Sequence, residues 1–138
     1  MARAKQFTVS HENLPGILVH IAKVLGDAQV NILAFLTTAS GREGLTHLIV
    51  DRSDTAEKAF AGAGLAYTEA DVLHLELPNT PGALGKFARK LAQEDVNINL
   101  AYATGGKSSK KTCVVLAVSD LDKAAAADGA FLFRSVET

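Results

Sequence analysis

Two stretches of this chain repeat each other at a fixed interval. Asn13-Leu14-Pro15-Gly16 is matched by Asn79-Thr80-Pro81-Gly82, and Val30-Asn31-Ile32 by Val96-Asn97-Ile98. Both matches are displaced by 66 positions (79 − 13 and 97 − 31), so neither copy has gained or lost a residue between these landmarks. Self-similarity at one period means one supersecondary unit used twice. In 138 residues that leaves two very small units, each marginal alone, with boundaries expected at 1–69 and 70–138. Only Glu69-Ala70-Asp71 joins them, with no Pro/Gly/Ser-rich linker, so beads on a string are not expected.

Each unit reads the same way. Phe7 and Val9 alternate with Gln6, Thr8 and Ser10, and Leu73, Leu75 and Leu77 alternate with His74 and Glu76, the period of a strand with one buried face. Pro15 and Pro81 sit where a helix would open, with Thr80 as an expected N-cap. Leu18, Ile21, Ala22 and Leu25 then share a helical face, as do Leu84, Phe87, Ala88 and Leu91. A strand from Val30 or Val96 follows, then a polar turn at 40–44 or 105–109, then a strand over 45–50 or 112–118. Asp54 and Asp120 open Ala-rich stretches that read as helices, before short last strands near Leu65–Thr68 and Phe131–Arg134. The fold class is therefore α+β: two tandem βαββαβ ferredoxin-like units, antiparallel sheets with helices on one face, expected to pack edge to edge.

Composition removes several classes of function. A net charge of −1, split as six basic against seven acidic residues through Glu69 and eight against eight beyond it, offers no basic surface for nucleic acid or an anionic membrane. No apolar run approaches the length of a membrane span, and the first residues lack the apolar core of a signal peptide. Cys113 is the single cysteine, so no intrachain disulfide forms, and a cytoplasmic setting is expected. His11, His20, His47 and His74 lack metal-ligand spacing, Gly105-Gly106-Lys107-Ser108 lacks the first glycine of a phosphate-binding loop, and Ser10-His11-Glu12 cannot form a relay from alternating faces of a strand. No catalytic group, metal or cofactor is expected.

What remains is the repeated motif. Glycine lets a ligand approach the backbone, and the N–H groups near Gly16 and Ile17, and near Gly82 and Ala83, form anion-accepting helix ends. Asparagine supplies a donor pair and an acceptor, which suits a ligand with both an ammonium and a carboxylate. A local alternative is that each asparagine only caps a helix or turns the chain.

The βαββαβ order, the Pro-Gly after the first strand and the Val-Asn-Ile opening the second resemble the ACT domain, a regulatory module of amino-acid metabolism, in two tandem copies. The first copy, with His11-Glu12-Asn13-Leu14-Pro15-Gly16, resembles more narrowly the serine-sensing ACT domain of bacterial phosphoglycerate dehydrogenase. The resemblance implies a regulatory protein that binds an amino acid between its two units and acts on a partner enzyme or regulator. It places His11, Asn13, Leu14, Pro15, Gly16 and Ile17 opposite Asn97 and Ile98 in one cleft. The reciprocal cleft has Leu77, Asn79, Thr80, Pro81, Gly82 and Ala83 opposite Asn31 and Ile32, with Leu77 where the histidine belongs. The two clefts are therefore expected to be unequal. A homodimer is expected, with paired sheets hiding apolar surface. The alternative is a ligand-free interaction or dimerisation module with the same motifs.

Overall fold

The structure, a computed structural model, describes residues 3–127. The strand expected at Phe131–Arg134 lies outside the described residues. The chain divides into two compact units, one of Lys5–Ala70 and the other running on from Asp71 and including Arg3 and Ala4.

The first unit contains most of β1 (Arg3–Glu12), then α1 (Ile17–Asp27), β2 (Ile32–Ser40), β3 (Glu43–Val50), α2 (Ser53–Gly62) and the start of β4 (Ala66–Pro78). β3 lies between β1 and β2, antiparallel to both. Phe7 and Val9 of β1, Leu48 and Val50 of β3, Ile21 and Leu25 of α1, and Ala56 and Phe60 of α2 form one core, so both helices cover the same sheet face. Phe7 meets Phe60 and Tyr67 edge-on at 5.4 and 5.7 Å between ring centroids. Such pairs contribute about 0.5–1.5 kcal/mol beyond their buried area.

The second unit repeats the plan with the rest of β4, α3 (Ala83–Gln93), β5 (Ile98–Thr104), β6 (Lys111–Val118) and α4 over 121–127. β6 lies between β4 and β5, again antiparallel to both. Its core joins Leu73, Leu75 and Leu77 to Phe87, Leu91, Val114, Leu116, Ala124 and Ala127. Arg3 reaches the Asp122 carboxylate in this unit.

Four local expectations differ from the structure. The strands expected at 65–68 and 73–77 are one continuous strand, β4. Glu69-Ala70-Asp71 holds no glycine or proline, and nothing in it breaks extended backbone. The helices open at Ile17 and Ala83, two residues after the prolines, and Thr80 is not a cap. Leu18 and Leu84 are 38% and 57% exposed, because the buried face of α1 follows Ile17, Ile21, Val24, Leu25 and Ala28 instead. Finally, Asp54 and Asp120 are not equivalent. Thr38 pairs with Leu45 and Thr104 with Cys113, so the displacement grows from 66 (104 − 38) to 68 (113 − 45) across the hairpin. The second hairpin holds two extra residues, and the register partner of Asp54 is Asp122.

The two helix ends are built alike. Leu25 and Leu91 carbonyls accept from the N–H groups of Val30 and Val96 at 2.9 and 3.0 Å, while Gln29 and Asp95 N–H donate to Gly26 and Ala92 carbonyls at 3.0 Å each. This is the Schellman pattern, with Gln29 and Asp95 in the left-handed region at φ 62° and 58°. It turns the chain so that Val30 and Val96 enter the cores and Asn31 and Asn97 open the next strands.

Candidate functional site

The repeated Pro-Gly is a turn. Ile17 N–H donates to the Leu14 carbonyl at 3.3 Å and Ala83 N–H to the Thr80 carbonyl at 3.2 Å, with Gly16 and Gly82 at φ 87° and 84° and ψ −4° and −8°. These are type II turns, proline at the second position and glycine at the third, where φ is positive. The turn delivers the chain into each helix without a side-chain cap and without an acidic residue in the first turn. The first-turn N–H groups thus present the positive end of the helix dipole to solvent. Leu18 and Leu84 stand exposed beside them.

Asn13 and Asn79 tie that turn to the neighbouring hairpin. Asn13 donates from its backbone N–H to the Arg42 carbonyl at 2.8 Å and from Nδ2 to the Gly41 carbonyl at 3.1 Å. Asn79 donates from N–H to the Lys110 carbonyl at 2.9 Å, and from Nδ2 to the Gly106 and Ser109 carbonyls at 3.0 and 2.8 Å. In both, the amide nitrogen is committed to the fold, and Oδ1 is the atom left to accept.

Asn31 and Asn97 sit at the other end of their sheets. Asn31 N–H donates to Asp51 Oδ1 at 2.9 Å and Asn97 N–H to Ser119 Oγ at 2.8 Å, while their carbonyls accept from Asp51 and Ser119 N–H. Asn97 Nδ2 donates to Asn99 Oδ1 at 3.1 Å. Ile32 and Ile98 follow, each at a break in strand register, between Ile32 and Ala34 and between Ile98 and Leu100. Asn13 is fastened at the start of β3 and Asn31 at its end. At about 3.3 Å per residue that separates them by on the order of 25 Å. No single unit brings its own loop asparagine and strand asparagine to one small ligand.

His11 is where the copies part. Its Nε2 lies 2.8 Å from Thr46 Oγ1, its Nδ1 lies 2.9 Å from the Glu12 carbonyl, and Thr46 Oγ1 lies 2.9 Å from Thr37 Oγ1. Gly44 faces the ring across the strand pair, and a Cβ there would stand 2.5 Å from His11 Cε1. Register places Leu77, Val114, Ala103 and Thr112 at the positions of His11, Thr46, Thr37 and Gly44. Thr46, fully buried, and its neighbours Thr37 and Gly44 were not singled out by sequence reasoning. The signal was available as polar residues in one copy against apolar residues in the other, but it needs the two-residue hairpin shift to be seen.

Each unit also has a groove at its hairpin end. The first holds about 600 Å³ and is lined by residues including Ser10, His11, Glu12, Thr38, Arg42 and Glu43. The second holds about 530 Å³ and is lined by residues including Glu76, Thr104, Gly106, Lys111 and Cys113. Among the candidate residues, only His11 reaches either groove. Burial first, and then the Glu76 carboxylate, push the Cys113 thiol up from its ordinary value, and His74 Nε2 lies 2.8 Å from its Sγ. A raised thiol is a poor nucleophile. Among the described residues no group of three or more His, Cys, Asp or Glu is placed to hold a metal ion, and no helix is long and apolar enough to cross a membrane.

Two units of one ferredoxin-like plan, each with an uncapped helix end behind a type II turn, define the class of the fold. The chain belongs to the ACT domain pair family, whose model matches residues 2–127. Among solved structures it is similar to a protein of Bacteroides thetaiotaomicron, at 30% identity over 91% of this chain and 86% of that one, with a TM-score of 0.85. The fold is also that of the regulatory subunit of aspartate kinase from Thermus thermophilus, at 16% identity over 94% and 89% of the two chains and a TM-score of 0.68. The corresponding subunit from Thermus flavus matches at 15% identity over 94% and 92%, with a TM-score of 0.60. No curated protein sequence matches significantly.

Proposed function

We propose that this protein senses an amino acid held where the Asn-x-Pro-Gly loop of one ACT unit meets the strand-opening asparagine of the other, and that it acts on a separate polypeptide, with no catalytic step of its own. The observation that carries the reading is the twice-built, uncapped helix end behind a type II turn, flanked by an asparagine whose Oδ1 faces no donor among the described residues. A carboxylate suits the N–H groups of Leu18 and Val19, or of Leu84 and Gly85, and an ammonium suits the asparagine oxygens. His11 and Asn13 would act with Asn97 in one cleft. Asn79 would act with Asn31 in the other, where Leu77 offers no polar atom, so the two clefts would differ in affinity.

The regulatory subunits of aspartate kinase that share this fold suggest the kind of output, a partner enzyme whose state follows ligand occupancy. Coupling requires that the ligand bind one arrangement better than another, by about 1–3 kcal/mol in typical allosteric proteins. The experiment is a thermal-shift screen of each standard amino acid, followed by calorimetric titration of any that stabilise. A ligand at a hundredfold excess over its Kd adds about 2.7 kcal/mol of stability. No shift with any amino acid, or two equal and independent sites, would count against this reading.

A second reading rests on the asparagine nitrogens already spent on hairpin carbonyls. In it the loops stiffen an assembly surface and bind no small molecule. Oligomeric state that is unchanged by amino acids, with no thermal shift, would favour it.

A further inference from the structure

Thr46 occupies a core position. It pairs across the sheet with Val9, is fully buried, and corresponds in register to Val114 of the second unit, itself buried and paired with Leu75. A hydroxyl at such a position is unfavourable unless both its hydrogen and its lone pairs are met. Its two partners are His11 Nε2 and Thr37 Oγ1. Gly44, two residues before it on β3, leaves room for the His11 ring, which a Cβ there would meet at 2.5 Å. Thr37, Gly44 and Thr46 thus serve one side chain, and all three are replaced where that side chain is leucine.

The hydrogen-bond directions follow from chemistry. The Glu12 carbonyl beside Nδ1 can only accept, so Nδ1 carries the ring proton and donates. In the uncharged ring Nε2 is then an acceptor, Thr46 donates to it, and Thr46 accepts in turn from Thr37. The middle of this chain, Thr46, is buried, Thr37 at one end is exposed, and at the other end the His11 Nδ1–H rests on the carbonyl of its own neighbour.

Building on the amino-acid reading above, we propose that Thr46 is a positioning residue that holds the His11 ring through Nε2 while the Glu12 carbonyl keeps the proton on Nδ1, and that this N–H is the donor which the ligand carboxylate takes over from the Glu12 carbonyl. The second unit, with Leu77, Val114 and Ala103, has no such donor, so its cleft lacks this contact.

The test compares the wild-type chain with Thr46→Val, which copies the second unit, and with Thr46→Ser, which keeps the hydroxyl. Ring-nitrogen NMR at about pH 8, above the ordinary histidine range, reads the tautomer without any ligand. Wild type and T46S are expected to show Nδ1–H for His11 with an Nε2 signal shifted by the hydroxyl that donates to it, and T46V to keep the proton on Nδ1 and lose that shift at Nε2. Calorimetric titration with whichever standard amino acid binds wild type is expected to weaken about tenfold in T46V and to stay within about twofold in T46S, the loss of one aimed hydrogen bond. An Nε2–H tautomer in wild type, or equal affinity of T46V and wild type, would overturn the proposal. If the Nε2 signals differ as expected but no amino acid binds wild type, the positioning role is supported and the ligand's part in it fails together with the proposed function.

Discussion

Gly44→Ala should unfold easily in the wild-type chain and gain stability once His11 is removed. The new Cβ would stand 2.5 Å from His11 Cε1 and 2.8 Å from Nδ1, distances that real Cβ atoms do not tolerate. The ring has to move, and it leaves hydrogen bonds to Thr46 and the Glu12 carbonyl. At about 0.5–1.5 kcal/mol each, the two bonds together amount to about 1–3 kcal/mol. Against this, alanine in a strand is more favourable than glycine by about 0.5–1 kcal/mol. The net expectation is a loss of up to about 2.5 kcal/mol in wild type and, in a His11→Ala background, a gain of about 0.5–1 kcal/mol, a coupling of about 1–3 kcal/mol. The chain has no tryptophan, so urea unfolding is followed by far-ultraviolet circular dichroism, and the four midpoints of the cycle give the coupling. The same change in stability in both backgrounds, with coupling below about 0.5 kcal/mol, would refute the packing of His11 on Gly44 and the placement of its ring nitrogens with it.

Two further outcomes follow from backbone and burial. Gln29→Gly and Asp95→Gly should each raise stability by about 0.5–1 kcal/mol in the same assay, because relief of the left-handed strain at φ 62° and 58° exceeds the added freedom of the unfolded chain. Burial depresses His47 below the ordinary 6.5, with its Nδ1 held 2.9 Å from Thr8 Oγ1. The unfolded chain then binds the proton first, so this contribution is complete above pH 6.5 and is lost as pH falls from there toward the folded value. Urea midpoints measured from about pH 8 to pH 5 should drop less steeply in His47→Gln than in wild type.

The landmarks that were legible in the sequence are those set by backbone chemistry. Proline followed by glycine favours the type II turn found at Gly16 and Gly82, and Phe7/Val9 or Leu73/Leu75/Leu77 alternation favours a strand with one face inside, so the order of elements and most of the core followed. The helix faces were less legible. Leu18 and Ile17 compete for the same stripe, and the choice depends on the turn starting the helix at Ile17, not at Pro15. The equivalence of Asp54 with Asp120 failed because a fixed period cannot reveal two residues added to a hairpin and offset by nothing downstream. That same shift hid the part of the site that distinguishes the copies. His11 opposite Leu77 was visible at 66 residues, but Thr46 opposite Val114 lies at 68, and only strand register aligns them. Once aligned, the differences are not scattered. His11, Thr37, Gly44 and Thr46 touch one another, and Leu77, Ala103, Thr112 and Val114 replace them together. Thr46 is the buried member, its hydroxyl is met by His11 and Thr37, and Gly44 leaves room for the ring, so the four positions depend on one another. A buried hydroxyl is costly when its partners are lost, so an apolar residue at the position of His11 or Thr37 favours an apolar residue at that of Thr46, which is why the asymmetry between the two units concentrates at this ring.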